Sequence, residues 1–402
     1  MTALQLLGYI GWAALIQLVV WGALGFWLTA RRARSQEAPD PAAAAPWREF
    51  RVLRRVLEDP DGTQCSFHLA AVDGRPLPDF LPGQFLTVAV TVAGADRPVV
   101  RCYSLSDGPE SDRYRITIKR VPFPPGRPEL PPGLCSTYFH DHVQVGDTVR
   151  VRGPSGAFHL DPESDLPVVM IAGGIGITPM VSMLHWLARA APERRVHLVY
   201  AVQNGGAHAF RLELRTVFQA RRTFHQTIVY SGPRPTDVLG RDHDREGFVD
   251  LDLVGPILAA MGRCAVYVCG PPPMMEALVP ALRLGGVDEV DLHYEAFGPA
   301  SVPRPAGPPA GPIKPAGIAL PVRFLRSGRT LDWSGQSDSL LDFAEGNGVA
   351  IDSGCRSGQC GSCETRLVSG RVRYSQTPDW EVAPGHCLPC ICIPTSPVEL
   401  DA

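Results

Sequence analysis

Four cysteines near the C-terminus have the spacing of ligands to a metal centre. They follow the pattern C-x4-C-x2-C with a distant fourth member, and they are Cys355, Cys360, Cys363 and Cys390. Two irons bridged by two sulfides need four thiolates from different directions, and one tight loop can supply three of them. Glycines suit such a loop, because they adopt unusual backbone angles and let N–H groups approach the cluster sulfurs. The pattern therefore indicates a 2Fe–2S cluster.

Zinc is the alternative interpretation of this segment. Cys360 and Cys363 form one C-x2-C pair, and Cys387 and Cys390 form another, as in zinc knuckles. Zinc leaves Cys355 and the glycines of the loop unexplained. The iron–sulfur interpretation accounts for both, so we favour it.

The same segment resembles the plant-type ferredoxins, which carry L-x-C-x3-P around their last ligand. Residues 388–394 match that pattern with Cys390 at its centre. The resemblance implies that Cys390 is the fourth ligand. Cys387 and Cys392, which compete for this role, are then expected to pack beside the cluster.

The middle of the chain changes from one rhythm of predicted elements to another. From Phe50 to Gly153, short strands separated by turn signals such as Pro-Asp-Gly predict an antiparallel barrel. From Pro167, apolar strands alternate with helical stretches, which predicts a parallel sheet with crossover helices. The glycine-rich turn 173–179 joins the first of these strands to its helix, where a dinucleotide pyrophosphate would lie. Because this turn is not G-x-G-x-x-G, it is a weak indication by itself.

Four motifs in sequence order strengthen that indication. R-x-Y-S, G-G-x-G-x-T-P, C-G-P-x-x-M and E-x-F-G begin at Arg101, Gly173, Cys269 and Glu295. Together they resemble the ferredoxin–NADP reductase superfamily, and residues 47–299 are most similar to the reductase half of flavohaemoglobins. The resemblance implies FAD, with FMN as the alternative, and a nicotinamide donor. NADH and NADPH stay open, because neither an acidic residue nor an arginine cluster follows the strand that ends at Val202.

The resemblance implies two flavin-binding elements. Arg101 is expected to contact the flavin phosphates, Tyr103 to lie against the isoalloxazine, and Ser104 to sit near its N5. The second element is expected to bind the pyrophosphate, and it comprises Gly133, Ser136 and Thr137.

The resemblance also implies a nicotinamide site. The residues expected to line the NAD(P) pyrophosphate are Gly173, Gly174, Gly176 and Thr178. Cys269 and Gly270 are expected to flank the nicotinamide, and Glu295 and Phe297 to lie at the other face of the flavin. The residues expected closest to the hydride transfer are Tyr103, Ser104, Cys269 and Glu295.

The N-terminus predicts a membrane anchor. Residues 3–30 include no charged side chain, and such a stretch can cross the ~30 Å hydrocarbon core of a bilayer. Arginines follow at once, at positions 31, 32 and 34, which predicts that the catalytic domains lie in the cytoplasm on the inner or plasma membrane. A cleaved signal peptide is the alternative, but no positive region precedes the apolar run.

The chain of 402 residues is long enough for several domains. We predict a multidomain protein with a transmembrane helix, an antiparallel β-barrel, an α/β parallel-sheet domain and an α+β (β-grasp) ferredoxin-like domain. The predicted bounds are 1–34 for the anchor, 35–46 for a linker, 47–161 for the FAD domain, 162–299 for the NAD(P) domain, 300–317 for a Pro/Gly linker and 318–402 for the 2Fe–2S domain.

These features predict a membrane-anchored NAD(P)H-dependent reductase. Electrons would pass from NAD(P)H through FAD to the 2Fe–2S cluster and then to a membrane-associated acceptor protein, such as an oxygenase, desaturase or haem protein. The net charge of −3 and the lack of a long basic block disfavour nucleic acid as a partner. A quinone-linked respiratory dehydrogenase and a 2Fe–2S redox sensor are the alternatives.

Overall fold

In the part of the chain that the structure describes, the strands form three large sheets and a two-stranded ribbon. The structure, a computed structural model, describes residues 47–92, 98–109, 112–123, 132–296, 319–378 and 380–402. Each large sheet has its own apolar core, so the fold is multidomain as predicted.

The first sheet is antiparallel and closes on a core of alternating apolar residues. Its elements are β1 (Arg48–Leu57), β2 (Gln64–Ala71), β3 (Phe85–Val90), β4 (Val99–Ser104), β5 (Tyr114–Lys119), α1 (Leu134–Asp141) and β6 (Thr148–Ser155). The strand order is β4-β3-β6-β1-β2-β5. Phe67, Leu86 and Ile116 are fully buried in this core, and the ring of Phe139 from α1 packs edge-on against Phe67.

The second sheet is parallel. Its strands are β7 (Val168–Gly173), β8 (Val196–Val202), β9 (Phe224–Tyr230), β10 (Arg245–Glu246), β11 (Ala265–Gly270) and β12 (Leu292–Ala296). The connecting helices are α2 (Ile177–Ala190), α3 (Arg211–Gln219), α4 (Leu251–Met261) and α5 (Pro272–Leu284). The order β10-β9-β8-β7-β11-β12 places β7 and β11 side by side, and every residue of both strands is buried. Such continuous apolar runs are typical of strands covered by helices on both faces.

The C-terminal domain has a mixed sheet. Its elements are β13 (Leu320–Phe324), β14 (Arg329–Trp333), α6 (Leu340–Gly346), β15 (Thr365–Ser369), β16 (Val372–Tyr374), β17 (His386–Cys387), β18 (Cys392–Pro394) and β19 (Val398–Leu400). The sheet order is β14-β13-β19-β15-β17, with β13 parallel to β19 and antiparallel to β14. Trp333 packs edge-on against Phe343 of α6 in the core. The loop between α6 and β15 carries three of the four predicted ligand cysteines.

The predicted transmembrane helix requires a correction. Within the part of the chain that the structure describes, no helix is both long and apolar enough to span a bilayer. The longest described helix, α2, has 14 residues and is ~21 Å long, short of the ~30 Å that a span needs. The anchor and bilayer contact predicted over residues 3–30, and both predicted linkers, lie outside the described residues. The transmembrane element is therefore withdrawn from the fold class.

Candidate functional site

The four predicted cluster cysteines lie in two pairs. The Sγ atoms of Cys363 and Cys390 are 3.1 Å apart, and the backbone N–H of Cys355 donates to Cys360 Sγ at 3.3 Å. Two pairs of thiols fit a centre with two irons, because each iron can then take two thiolates. Within the described ranges, no group of three or more His, Cys, Asp or Glu side chains is arranged around a single metal ion.

Backbone N–H groups of the loop point at these sulfurs. Ser357 and Gln359 donate to Cys355 Sγ at 3.4 and 3.3 Å, and Ser362 lies with its N–H 3.5 Å from Cys360 Sγ. Such donors offset the negative charge that thiolates bring to an iron–sulfur centre. The loop therefore fits a 2Fe–2S cluster, as its spacing predicts.

The remaining cysteines of this domain occupy a different place. Cys387 and Cys392 are fully buried, lie next to each other and belong to the main core of the sheet. Cys363 and Cys390 instead pack with Leu341 in a smaller apolar cluster at the loop. Cys387 and Cys392 therefore lie in the core of the sheet, whereas Cys363 and Cys390 lie in the apolar cluster at the loop.

Two buried hydroxyls mark the predicted flavin site. Ser104 is 4 % exposed, and neither its Oγ nor the buried Oγ1 of Thr137 has a hydrogen-bond partner in the described structure. A buried hydroxyl without a partner is costly, so both atoms suit polar groups of a bound cofactor. The ring of Tyr103, the residue before Ser104, packs edge-on against Phe139, and burial raises the pKa of its hydroxyl well above 10. The phenol is therefore neutral at physiological pH.

Of the other predicted flavin residues, Arg101 is exposed to solvent, whereas Gly133 and Ser136 form the turn before α1. Arg101 is exposed on β4, and its Nη1 donates to the carbonyl oxygen of Val100 at 2.7 Å. Ser136 Oγ donates to the carbonyl of Gly133 at 2.9 Å and accepts from the N–H of Val121 at 3.2 Å. The hydroxyl of Ser136 therefore closes the turn before α1. Thr137, one residue later, is the residue with the unused hydroxyl.

The predicted nicotinamide residues lie where β7 and β11 end side by side. A Cβ on Gly173 would be 2.5 Å from Met274 Sδ and 3.3 Å from the Cα of Gly270, and one on Gly176 would overlap the carbonyl oxygen of Cys269. Only glycine permits this close approach. Burial raises the pKa of Cys269 well above 9, so its thiol stays protonated at physiological pH.

The remaining predicted residues of this site have distinct positions. Thr178 is buried in the first turn of α2, and its Oγ1 donates to the carbonyl of Ile175 at 3.0 Å. Glu295 pairs with Cys269 across β12 and β11. Gly174 has φ +53, and a Cβ there would lie 3.9 Å from Lys119 Nζ. Phe297 lies outside the described residues. Lys119, a cation of β5 beside the glycine turn, had no predicted role.

A buried charge network joins the barrel to the parallel-sheet domain. His185 of α2 bonds Asp107 Oδ1 through Nδ1 at 2.6 Å and Glu213 Oε1 through Nε2 at 2.9 Å, and Glu213 also accepts from Arg115 of β5 at 2.7 Å. Burial lowers the pKa of His185, but the two carboxylates outweigh it and raise that pKa to about 9. Burial raises the pKa of Asp107 and Glu213, but His185 and Arg115 lower both to about 2. The sequence gave no signal for this network, because its members come from four separate segments.

Comparisons with known proteins agree with this division into domains. An oxidoreductase FAD-binding domain matches residues 63–160, an oxidoreductase NAD-binding domain matches residues 170–279, and a 2Fe–2S iron–sulfur cluster binding domain matches residues 322–395.

Two similar proteins match only part of this chain. The flavohemoprotein of Halalkalibacterium halodurans is 38 % identical over 265 residues, which are 65 % of this chain and 63 % of that protein, so the chain spans less than two thirds of this relative. The flavohem-like FAD/NAD binding domain of nitric oxide dioxygenase from Vibrio cholerae is 34 % identical, with a TM-score of 0.55, over 64 % of this chain and all of that chain.

A third relative extends over the iron–sulfur domain as well. Phthalate dioxygenase reductase, described as a modular structure for electron transfer from pyridine nucleotides to [2Fe–2S], is 28 % identical with a TM-score of 0.54. The similarity covers 89 % of this chain and 98 % of that chain. The three domains therefore recur in one protein of similar extent.

Proposed function

This chain belongs to the ferredoxin–NADP reductase superfamily and carries a 2Fe–2S domain at its C-terminal end, and on that premise we propose that it delivers single electrons to a separate oxygenase or haem protein. It is an NAD(P)H-dependent oxidoreductase whose domains bind FAD, NAD(P)H and a 2Fe–2S cluster. The acceptor class is proposed because phthalate dioxygenase reductase, by its name, serves a dioxygenase.

One contact carries the proposal. Cys102 of β4 lies directly before the predicted flavin residues Tyr103 and Ser104, and its thiol is within hydrogen-bonding distance of the ligand thiol of Cys360. A Cβ on Gly354 would lie 3.0 Å from Cys360 Sγ and 3.4 Å from Cys102 Sγ, so both sulfurs border the same small space. The flavin strand and the cluster loop are therefore in contact.

The chain's own residues position the cofactors that supply the chemistry. When bound, FAD accepts a hydride and the 2Fe–2S cluster carries one electron at a time. Ser104 and Thr137 would offer buried hydroxyls to the flavin, the glycine turn after β7 would receive the NAD(P) pyrophosphate, Gly270 at the end of β11 would flank the nicotinamide, and the two thiol pairs would hold the cluster. Burial keeps the side chains of Tyr103 and Cys269 neutral.

Steady-state assays with two acceptors test the proposed function. Purified protein is given NADH or NADPH, with ferricyanide as an acceptor that can be served by the flavin alone and cytochrome c as an acceptor that depends on the cluster. We expect both to be reduced, and Cys363→Ser to lose cytochrome c reduction while it keeps ferricyanide reduction. Cys264→Ala, which removes a thiol from the core beneath β11, should keep both activities. Negligible reduction of both acceptors by the unmodified protein would contradict the proposal and favour a redox sensor.

A further inference from the structure

Three side chains line up across the barrel on the face toward the cluster loop. Cys102 of β4 is directly opposite Thr87 of β3, and Thr87 is directly opposite Arg152 of β6. Directly opposite residues of antiparallel strands project to the same face of a sheet. Thr87 Oγ1 lies 3.6 Å from Cys102 Sγ, so these two neighbours in the row are hydrogen-bonded.

Arg152 connects this row to the cluster loop. One of its terminal nitrogens, Nη2, donates to the carbonyl oxygen of Cys360 at 2.9 Å and to Ser362 Oγ at 3.0 Å. The two partners are more than 200 residues away along the chain, in a different domain. Hydrogen bonds from a charged donor are stronger than neutral ones. The peptide of a ligand cysteine is therefore held by a barrel side chain.

Two indole rings flank the guanidinium of Arg152. Its Cζ is 4.9 Å from the ring centroid of Trp47, at the start of the barrel, and 5.6 Å from that of Trp380, in the iron–sulfur domain. Cation–π contacts with tryptophan are the strongest of their kind, and arginine makes them more often than lysine. Each domain thus contributes one ring to the same cation.

Trp380 is fixed to the cluster loop by its own bonds. Its backbone N–H donates to the carbonyl of Gly358 at 3.0 Å, and its indole N–H donates to Glu364 Oε2 at 3.1 Å. Gly361 has φ +63, and a Cβ there would clash with the indole. A ring held this closely gives Arg152 a defined surface to dock against.

We propose that Arg152 is a positioning residue that holds the cluster loop on the flavin barrel at Cys360, so that electrons enter the cluster on the side of the Cys355–Cys360 pair. The inference rests on the proposed function and names the contact through which it operates. Ser104, the predicted neighbour of flavin N5, follows Cys102 by two residues on the same face of β4, ~7 Å farther along the strand. The pair Cys363–Cys390 lies beyond Cys360 and has no described contact with this row.

The contact at Cys360 is sufficient for the two electrons of one hydride, because they can cross it one at a time. A hydride from NAD(P)H brings two electrons to the flavin and releases NAD(P)⁺. A bound one-electron cluster would need two passages across the contact at Cys360 for each hydride, with the proton released to solvent and both electrons passed one at a time to the one-electron acceptor.

Stopped-flow reduction of the full chain, loaded with flavin and cluster, tests the role of Arg152. After mixing with NADH, flavin bleaching and cluster bleaching are followed separately. We expect Arg152→Gln to leave the rate of flavin reduction unchanged and to slow cluster reduction by about tenfold, the loss set by removing charged hydrogen bonds. Arg150→Gln is the matched control. Arg150 is exposed two residues earlier on β6 and also lies over Trp47, at 5.3 Å, but it has no hydrogen bond to the described residues of the cluster loop.

Hydrogen–deuterium exchange of the cluster-loop peptide supplies a second readout besides turnover. We expect the amides of residues 354–363 to exchange faster in Arg152→Gln and unchanged in Arg150→Gln. Trp380→Leu removes the ring on the other domain and leaves the barrel intact, so it should slow cluster reduction in the same way.

Equal cluster reduction and equal exchange in wild type, Arg152→Gln and Trp380→Leu would overturn the inference while leaving the proposed function intact. A wild-type protein whose flavin is reduced but whose cluster is not would instead contradict the proposed function.

Discussion

The flavin barrel meets its two neighbouring domains through contacts of different chemistry. Toward the parallel-sheet domain, Arg115, Asp107, His185 and Glu213 form a network whose side chains are 7–26 % exposed. Toward the iron–sulfur domain, the guanidinium of Arg152 lies between two indole rings and donates to a backbone carbonyl and to a hydroxyl. The first interface includes partly buried charges that pair with one another, and the second pairs one cation with neutral groups.

This difference bears on how tightly each interface fixes its geometry. The first interface holds four charged groups by several ion pairs, and separating it would break all of these pairs while returning the charges to water. Separating the second exchanges hydrogen bonds to neutral acceptors for hydrogen bonds to water, which costs about 1–3 kcal/mol. Hydride transfer needs a fixed geometry, whereas an iron–sulfur domain that serves an external acceptor needs one that can open. The two interfaces match these two needs.

The largest expected effect comes from removing the central cation of the first interface. Arg115→Leu leaves the carboxylates of Asp107 and Glu213 with His185 alone, and a broken buried ion pair costs about 3–5 kcal/mol. We expect the urea midpoint for release of flavin to fall accordingly. Arg245→Ala, which removes an exposed ion pair with Asp250 at 3.1 Å, should cost less than about 1 kcal/mol. Equal losses in the two variants would show that the buried network does not hold the domains together.

The second effect is a pH dependence confined to the first interface. The folded-state pKa of His185, about 9, lies above its unfolded value of 6.5, so its contribution is fully present below pH 6.5 and is lost as the pH rises through 9. We expect stability, measured as the urea midpoint, to decline from pH 7 to pH 9.5. His185→Gln should lower the midpoint at pH 6 by the equivalent of about 3 kcal/mol and flatten this decline. A decline of the same size in the variant would assign the pH dependence to other groups.

The third effect concerns the close packing of the Trp380 indole against Gly361 at the second interface. Gly361→Ala combines strain at φ +63 with a clash against the indole, and we expect it to destabilise the iron–sulfur domain by about 2 kcal/mol and to slow cluster reduction. Gly385→Ala is the matched control, because its φ is +76 but nothing lies within 4 Å of the added Cβ. It should cost about 1 kcal/mol without slowing the cluster. If both variants slowed cluster reduction, backbone strain would be the cause rather than the clash with the indole of Trp380.

The smallest effect lies at Ser104, on β4 between the two interfaces. Because its buried Oγ has no partner within the described structure, Ser104→Ala should leave the stability of the flavin-free protein unchanged or slightly raised. With flavin bound, we expect hydride transfer from NADH to slow by about tenfold, or ~1.4 kcal/mol, as a hydrogen bond to the cofactor is lost. Rapid mixing of NADH with the variant measures this rate. A stability loss without a change in rate would assign Ser104 a structural role only.

Sequence patterns predicted the local parts of the site. The cysteine spacing, the R-x-Y-S strand and the glycine turn are each contained in a short segment, so their residues lie together whatever the rest of the chain does. The short strands with turn signals, and then the alternation of strands and helices, predicted the barrel and the parallel sheet. The transmembrane prediction rested on the same kind of local pattern, and the described structure does not support it.

The residues that join the domains were not predictable in this way. Thr148, Arg150 and Arg152 alternate along β6 as outward-facing polar residues, and nothing in that pattern distinguishes the one that meets Cys360. His185 appears in sequence as one polar residue of an amphipathic helix. Ser136 and Thr137 are adjacent hydroxyls, and only the turn at Gly133 shows which one is already bonded.

An anaerobic titration of the purified chain with NADH, and separately with NADPH, followed by visible absorbance and low-temperature EPR, tests the relay most directly. We expect the flavin absorbance to bleach and a reduced 2Fe–2S signal to appear together, with one nucleotide acting faster. Flavin bleaching without an iron signal, in a protein that binds zinc by elemental analysis, would contradict the transfer of electrons through the cluster.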